Sequence, residues 1–382
     1  MKVEVGAIQA ARLHGPDWPG SGTLRAMELR DIPAVGSMFT RIFRKREYKA
    51  GDELQRYIET IFFGSPLYSP ERGSVVYDDG AGGIGSVILA LPMEFSVQGR
   101  RTVAKLLCAF MSEGKAGAHG AACIARAMRA AKQDMCFSDN LSPVSADHGA
   151  AGGGIVLPIQ SLDWRRSFHP LKAWALMIGR QAPLLRSRVV TGPLAVVDRI
   201  LRRRHPRMKP AAPSGCATRA IDPAAFVDCA EPMLQRFAVR PLWSRSEFNW
   251  LVGVASLNST LGKLLCREVM DESGRVIGAY LYFGKVGEMA TVLNIVCEAG
   301  RELDVTAQMF HSLDAEGYAL AVGSAQPFLM NAISRQRWLS FHHRGYFCMV
   351  TRHADLKDAV QRNDIYVGGL ASESWSRLLT DF

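Results

Sequence analysis

The sequence predicts a mixed α/β chain made of two copies of one topology, and three observations carry that expectation. Strand-like and helix-like segments follow one another in the same order in both halves. Each half contains a hairpin signature, Asp78-Asp79-Gly80-Ala81-Gly82-Gly83 in the first and Asp271-Glu272-Ser273-Gly274 in the second, between apolar runs. A basic, proline-rich stretch separates the halves. The 382 residues suit two domains better than one. With 48% hydrophobic and 21% charged residues the chain can bury a core, which excludes disordered, collagen-like and coiled-coil classes.

In the first half, Thr23 to Leu29 reads as a strand and Asp31 to Arg44 as a helix. Pro33 suits its first turn, and Ile32, Val35, Met38, Phe39, Ile42 and Phe43 recur at helical spacing. Asp52 to Phe63 follows as a helix with Leu54, Tyr57, Ile58 and Ile61 on one face. Gly73 to Tyr77 and Ile84 to Leu91 flank the first hairpin turn, and Thr102 to Met111 is a further strand. The glycine-rich run from Ser112 to Ala122 reads as a loop that opens an alanine-rich helix reaching about Ala131. Met135 to Ser138 and Ile155 to Leu162 are the last strands of this half.

The second half repeats the pattern. Ala217 to Ala220 is a strand, and Pro223 to Phe237 and Arg245 to Leu257 are helices. Leu264 to Met270 and Val276 to Phe283 form the hairpin, with Tyr280, Tyr282 and Phe283 alternating as core residues, and Thr291 to Cys297 is a strand. Asp304 to Glu316 and Pro327 to Ser334 are helices around the strand Ala319 to Val322, and Tyr346 to Thr351 closes the chain's strands. The implied organisation is a tail over 1–22, one domain over 23–168, a linker over 169–214 and a second domain over 215–382.

The net charge of +10 is concentrated in the linker region. From Arg165 to Lys209 stand twelve basic residues against the single Asp198, so the rest of the chain is close to neutral. Leu171 to Ile178 and Leu194 to Leu201 are helix-compatible apolar pieces among six prolines, the second running into Arg202-Arg203-Arg204. Such a segment is a solvated connector, an anionic membrane surface contact or a nucleic-acid contact. Nucleic acid is disfavoured, because Trp164 and Trp174 sit in or beside apolar stretches instead of interleaving with the arginines.

The eight cysteines are scattered with no CxxC pair, and the nine histidines show no zinc-ligand spacing, so buried thiols and no structural metal are expected. The longest uncharged stretch, Gly317 to Ser334, contains Gly323, Gln326, Pro327 and Asn331 and does not read as a membrane span. The N-terminus lacks a secretory pattern, which points to the cytoplasm.

A strand, a glycine-rich turn and a helix in the middle of this strand order resemble the GNAT superfamily of acyl-CoA-dependent N-acyltransferases. The resemblance rests on Leu24 to Arg44, on the Gly82 to Leu91 hairpin and on the loop before Ala122; the repeated order makes the chain similar to a tandem GNAT protein. The family's acyl-CoA loop carries Arg or Gln, two residues, Gly, one residue, then Gly or Ala. Gly117-Ala118-His119-Gly120-Ala121-Ala122 matches the last two positions but has Gly117 at the first. The resemblance implies that acetyl-CoA or another acyl-CoA is held by Met111, Ser112, Lys115, Gly117, His119, Gly120, Ala121 and Ala122. Physically, glycines admit a pyrophosphate to backbone N–H groups at a helix N-terminus, and an ordinary glycine turn is the alternative. The corresponding stretch of the second half, Glu298 to Asp304, carries three carboxylates around one glycine, so only the first copy is expected to bind acyl-CoA.

Acyl transfer to an amine needs a base for the amine and an acid for the leaving thiolate. Within the resemblance, Glu113 at the end of the fourth strand is a candidate base or a solvent-facing turn residue. Asp139, beside Ser138 at the end of the fifth, is a candidate base or acceptor-binding group, or a capping residue. His148 and His119 are further options. No tyrosine lies between Tyr77 and Tyr280, so the family's common tyrosine acid is missing and Ser138, a water or a residue of the second copy must serve. The expected function is acyl transfer to an amine of a small-molecule or envelope-precursor acceptor, near the inner membrane surface. The alternative is a degenerate module that binds acyl-CoA, a membrane or nucleic acid. Trp243 and Glu373-Ser374-Trp375 either pack or line an acceptor site, and the oligomeric state is not fixed by the sequence.

Overall fold

The computed structural model describes residues 22–46, 49–80, 82–130, 133–178, 188–211, 213 and 215–382. The tail expected over 1–22, apart from Gly22, and Arg180 and Arg186 of the basic segment lie outside the described residues. The chain forms two compact units, one from the described residues of Met1–Pro92 and Leu107–Lys132, the other from Met93–Leu106 and Gln133–Phe382.

The first unit opens with β1 (Thr23–Ala26), α1 (Ile32–Arg44) and α2 (Asp52–Phe62). α2 buries the stripe that its apolar spacing specifies, whereas α1 buries Ile32, Val35, Met38 and Phe39 but leaves Ile42 half-buried and Phe43 exposed, and ends at Lys45 in the left-handed conformation. Arg25 holds the entry to α1 by pairing with Asp31 at 2.6 and 2.8 Å. β2 (Val75–Asp78) pairs antiparallel with β1 and with β3 (Ile84–Val97), which turns into β4 (Arg100–Ser112); β3 and β4 have residues in both units. The unit's helix α3 (Gly114–Ala130) packs over β2 through Tyr77, Ile88 and Ile124.

The second unit adds β5 (Cys136–Leu141), α4 (Pro143–Ala151), β6 (Ile155–Val156), β7 (Leu162–Ser167), α5 (Pro170–Ile178) and α6 (Arg188–Arg204). Then come β8 (Ala217–Ile221), α7 (Phe226–Leu234), β9 (Val239–Pro241), α8 (Arg245–Ser256), β10 (Lys263–Met270), β11 (Val276–Gly284) and β12 (Met289–Cys297). It ends with α9 (Glu302–Ala315), β13 (Leu320–Ser324), α10 (Met330–Ser334), β14 (Leu339–His343), β15 (Tyr346–Val350) and α11 (Ala354–Gln361). Its core centres on Trp164, Phe168, Tyr280, Tyr282, Phe310 and Tyr318, all fully buried.

Two mixed sheets result, ordered β1-β2-β3-β4-β5-β15-β6, with β9 beside β3, and β8-β10-β11-β12-β13-β7-β14. The orders match position for position. Each sheet has one parallel pair, β4 with β5 and β12 with β13, and each next takes an antiparallel strand from elsewhere in the chain. β7 follows β6 in sequence but lies in the second sheet, while β15 follows β14 but lies in the first. The two halves therefore exchange one strand each. This corrects the reading of Ile155 to Leu162 as one strand, and it places the closing strand near Tyr346 in the first sheet. Apolar alternation identifies a strand but not its partner.

A second correction concerns Ser112 to Ala122. The helix begins at Gly114, one residue beyond Glu113 and the end of β4, so the expected loop is helix. Glycine marks either a turn or a place where backbones approach closely, and the second applies here.

Candidate functional site

In the first unit the residues expected around acyl-CoA are largely engaged in packing. Met111 is buried and Ser112 exposed at the end of β4. The Glu113 N–H donates to the Gly85 carbonyl at 3.1 Å, and its carboxylate takes both arms of the Arg41 guanidinium at 2.8 and 2.6 Å. A Cβ on Gly117 would stand 2.7 Å from the Gly85 carbonyl oxygen, and one on Gly120 would stand 2.5 Å from the Tyr77 ring. Ser86 Oγ donates to the Gly117 carbonyl at 2.7 Å. His119 meets the Tyr77 ring edge-on and lies 3.5 Å from Cys123 Sγ. Ala121 is half-buried and Ala122 exposed, and the side chain of Lys115 lies outside the described residues. Gly117 and Gly120 thus let α3 lie close on the strands, and burial raises the Tyr77 hydroxyl's pKa.

In the second unit, buried polar groups gather around Asp139. β5 carries Ser138, buried opposite Cys348, and Asp139, which is fully buried. Asp139 Oδ2 accepts from Arg344 Nη2 at 3.1 Å, from the Glu373 N–H at 3.3 Å and from Ser374 Oγ at 3.4 Å. Its Oδ1 has no partner among the described residues. Arg344 comes from the turn between β14 and β15; it also donates to Ser374 Oγ at 3.2 Å and stands 3.8 Å from Asp163. The Glu373 carboxyl is 2% exposed, and its Oε2 is likewise unpartnered. Burial, reinforced by the nearby Asp139 and opposed by Arg344, holds Glu373 well above the usual carboxyl range.

The C-terminal strap brings Glu373 there. Asn294 on β12 donates to the Tyr366 hydroxyl at 3.0 Å and to the Gly368 carbonyl at 3.1 Å, and its Oδ1 accepts from the Leu370 N–H at 2.8 Å. Gly368 and Gly369 both have positive φ, and a Cβ on Gly369 would lie 2.2 Å from Asn294 Oδ1, so this turn requires glycine.

A separate acid pair lies beneath α8. The Glu94 N–H donates to Glu247 Oε1 at 3.3 Å, and Arg101 pairs with the Glu94 carboxylate. Burial, opposed by the hydrogen bond from the Glu94 N–H and reinforced by the Glu94 charge, pushes Glu247 up to about 8.

Of the residues expected from sequence, Ser138 and Asp139 therefore stand in the buried cluster, Glu113 is held by Arg41, and His148 is exposed on α4. Arg344 and the role of Glu373 were not found from sequence. The available signal was a carboxyl within the apolar, glycine-containing run Gly368 to Trp375. Trp375 itself is buried packing. All eight cysteines are free thiols. Among the described residues, no three His, Cys, Asp or Glu side chains converge as a metal ion requires, and no helix is long and apolar enough to cross a membrane.

No protein-family model matches the sequence, and no curated protein matches it. Solved structures do. A conserved protein of unknown function from Enterococcus faecalis V583, described as a probable N-acyltransferase, superposes with a TM-score of 0.55 at 11% identity, over 88% of this chain and 73% of that one. The fold is of the GNAT type. A GCN5-related N-acetyltransferase from Anabaena variabilis ATCC 29413 agrees, with a TM-score of 0.53 at 8% identity over 86% of this chain and 72% of that one. At such identities the likeness concerns architecture, and the chemistry has to be argued from the site.

Proposed function

We propose that the protein is a tandem GNAT-type enzyme that transfers an acyl group from coenzyme A to an amine. The observation that carries the reading is the buried carboxyl pair Asp139 and Glu373 on an N-acyltransferase fold, each with one oxygen left unpartnered. Two carboxyl groups in unlike surroundings divide acid and base roles. Asp139, anchored through Oδ2 by Arg344, keeps Oδ1 for the acceptor ammonium and takes its proton; the free amine attacks the thioester carbonyl and the C–S bond breaks. Glu373, whose pKa burial raises, gives its proton to the leaving thiolate, the role left by the absent tyrosine, and regains one from the acylated nitrogen. The acyl donor is an acyl-CoA, most simply acetyl-CoA.

The test is release of free thiol from acetyl-CoA and longer acyl-CoAs over a panel of amines. Asp139→Asn is expected to lower kcat by about 100-fold or more, with the fold intact by circular dichroism. Turnover unchanged by Asp139→Asn would overturn the assignment.

The second reading is a binding module without turnover, and the start of α3 favours it. There is no glycine-rich loop between β4 and the helix, and Glu113 is already held by Arg41. Acyl-CoA stabilising the protein with no thiol released from any amine would select this reading.

A further inference from the structure

The basic segment forms a helical pair with two unusual properties. Asp198 of α6, fully buried, accepts from the Leu171 and Lys172 N–H groups at 3.1 and 3.0 Å, fastening α6 to the first turn of α5. Arg202 reaches inward to His169 and to Asp314 of α9. A cavity of about 430 Å³ beside these anchors is lined by His169, Lys172, Arg199, Arg202, Arg203 and Lys209. Arg202 is neutralised by Asp314, whereas Lys172, Arg199, Arg203 and Lys209 have no acidic partner among the described residues. Four uncompensated cations around one hollow repel one another unless an anion joins them.

The same two helices expose apolar side chains. Trp174 is 52% exposed and Met177 39%; on α6, Val196, Val197 and Ile200 are 53%, 43% and 47% exposed. Val196 and Ile200 stand four apart on one helical stripe, and Arg199 and Arg203 run beside them. A soluble phosphate ester would account for the cavity but not for these residues. Nucleic acid calls for aromatics interleaved with the cations, and Trp174 is the single aromatic residue of the pair. Uncovered aliphatic and indole groups beside arginines are the pattern of a helix lying in a bilayer interface.

We propose that α5 and α6 dock on an anionic phospholipid bilayer, with Trp174, Met177, Val196, Val197 and Ile200 entering the acyl boundary and a lipid phosphate seated among Lys172, Arg199, Arg203 and Lys209. The proposal is independent of acyl transfer, and its readout is partition rather than turnover.

The full-length protein is floated with vesicles of phosphatidylcholine alone or mixed with phosphatidylglycerol. Flotation is expected with the anionic vesicles and to weaken as salt is raised. A basic side chain near such a surface contributes about fivefold in partition, so Arg199→Gln, Arg203→Gln and Lys209→Gln together should reduce binding about 100-fold. Val196→Ser with Ile200→Ser should reduce it about tenfold or more, at unchanged thermal stability because both side chains are exposed. Equal partition onto neutral and anionic vesicles would overturn the proposal. So would inorganic pyrophosphate or a DNA duplex binding at the same cations with the Val196→Ser, Ile200→Ser protein indistinguishable from the parent, which would make the cavity a soluble-anion or nucleic-acid site.

Discussion

An alanine at Gly120 would put a methyl group 2.5 Å from one Tyr77 ring carbon, 2.7 Å from another and 2.8 Å from Ser86 Oγ. Those contacts are roughly 1 Å inside the ~3.5 Å at which non-bonded carbons sit comfortably, and the ring is 4% exposed with no free volume to enter. Overpacking of this kind costs about 1–3 kcal/mol, while a glycine-to-alanine change inside a helix returns about 1 kcal/mol. The net expectation for Gly120→Ala is a loss of up to about 2 kcal/mol. Gly253 on α8 is the control: it is exposed with nothing within 4 Å of its Cβ direction, so Gly253→Ala should gain up to about 1 kcal/mol. Calorimetry of both proteins, with hydrogen exchange along α3, reads the two effects separately. If Gly120→Ala is as stable as the parent yet loses stabilisation by acyl-CoA, the glycine serves a ligand and the packing argument is refuted.

Glu247, pushed up to about 8 from an unfolded value of 4.5, keeps in the folded state a proton that the unfolded chain loses. Its contribution is therefore complete below about 4.5 and is lost as pH rises through about 8, with a slope of up to ~1.4 kcal/mol per pH unit in between. Glu247→Gln should flatten that slope, and identical pH profiles for the two proteins would contradict it. Gly369→Ala should destabilise by more than about 2 kcal/mol, since it combines a positive φ with a Cβ 2.2 Å from Asn294 Oδ1; a denaturation midpoint equal to the parent's would count against the strap's geometry. Arg344→Ala leaves Asp139 buried without its cation and should lose about 3–5 kcal/mol. Adding Asp139→Asn should recover part of that loss, a coupling measured by a double-mutant cycle.

Much of this architecture is legible locally. The apolar spacing of α1 and α2, the hairpin around β2 and β3 and the continuous apolar run of β11 each specify an element within a few turns of chain. The short strand Leu339–His343 has only partly buried or exposed residues, so its pattern is weak and it was not foreseen. The exchange of β7 and β15 has no local signature, because Leu162–Ser167 and Tyr346–Val350 would pattern the same way in either sheet. At the candidate site, Asp139 was visible as a polar residue ending a strand, but its partners lie more than 200 residues away in sequence. The glycines of α3 were visible as glycines; that they face Gly85 and Tyr77 depends on tertiary packing.

The strand exchange also sets an order of events on the ribosome. β5 and β6 of the first sheet leave the exit tunnel roughly 190 residues before β15, the strand that lies between them. At about 5–20 residues per second that is a wait of roughly 10–40 s, during which two strand edges stand open. The nascent chain thus offers a window for chaperones, and a protein cut between β7 and β8 would release two fragments that each hold the other's missing strand.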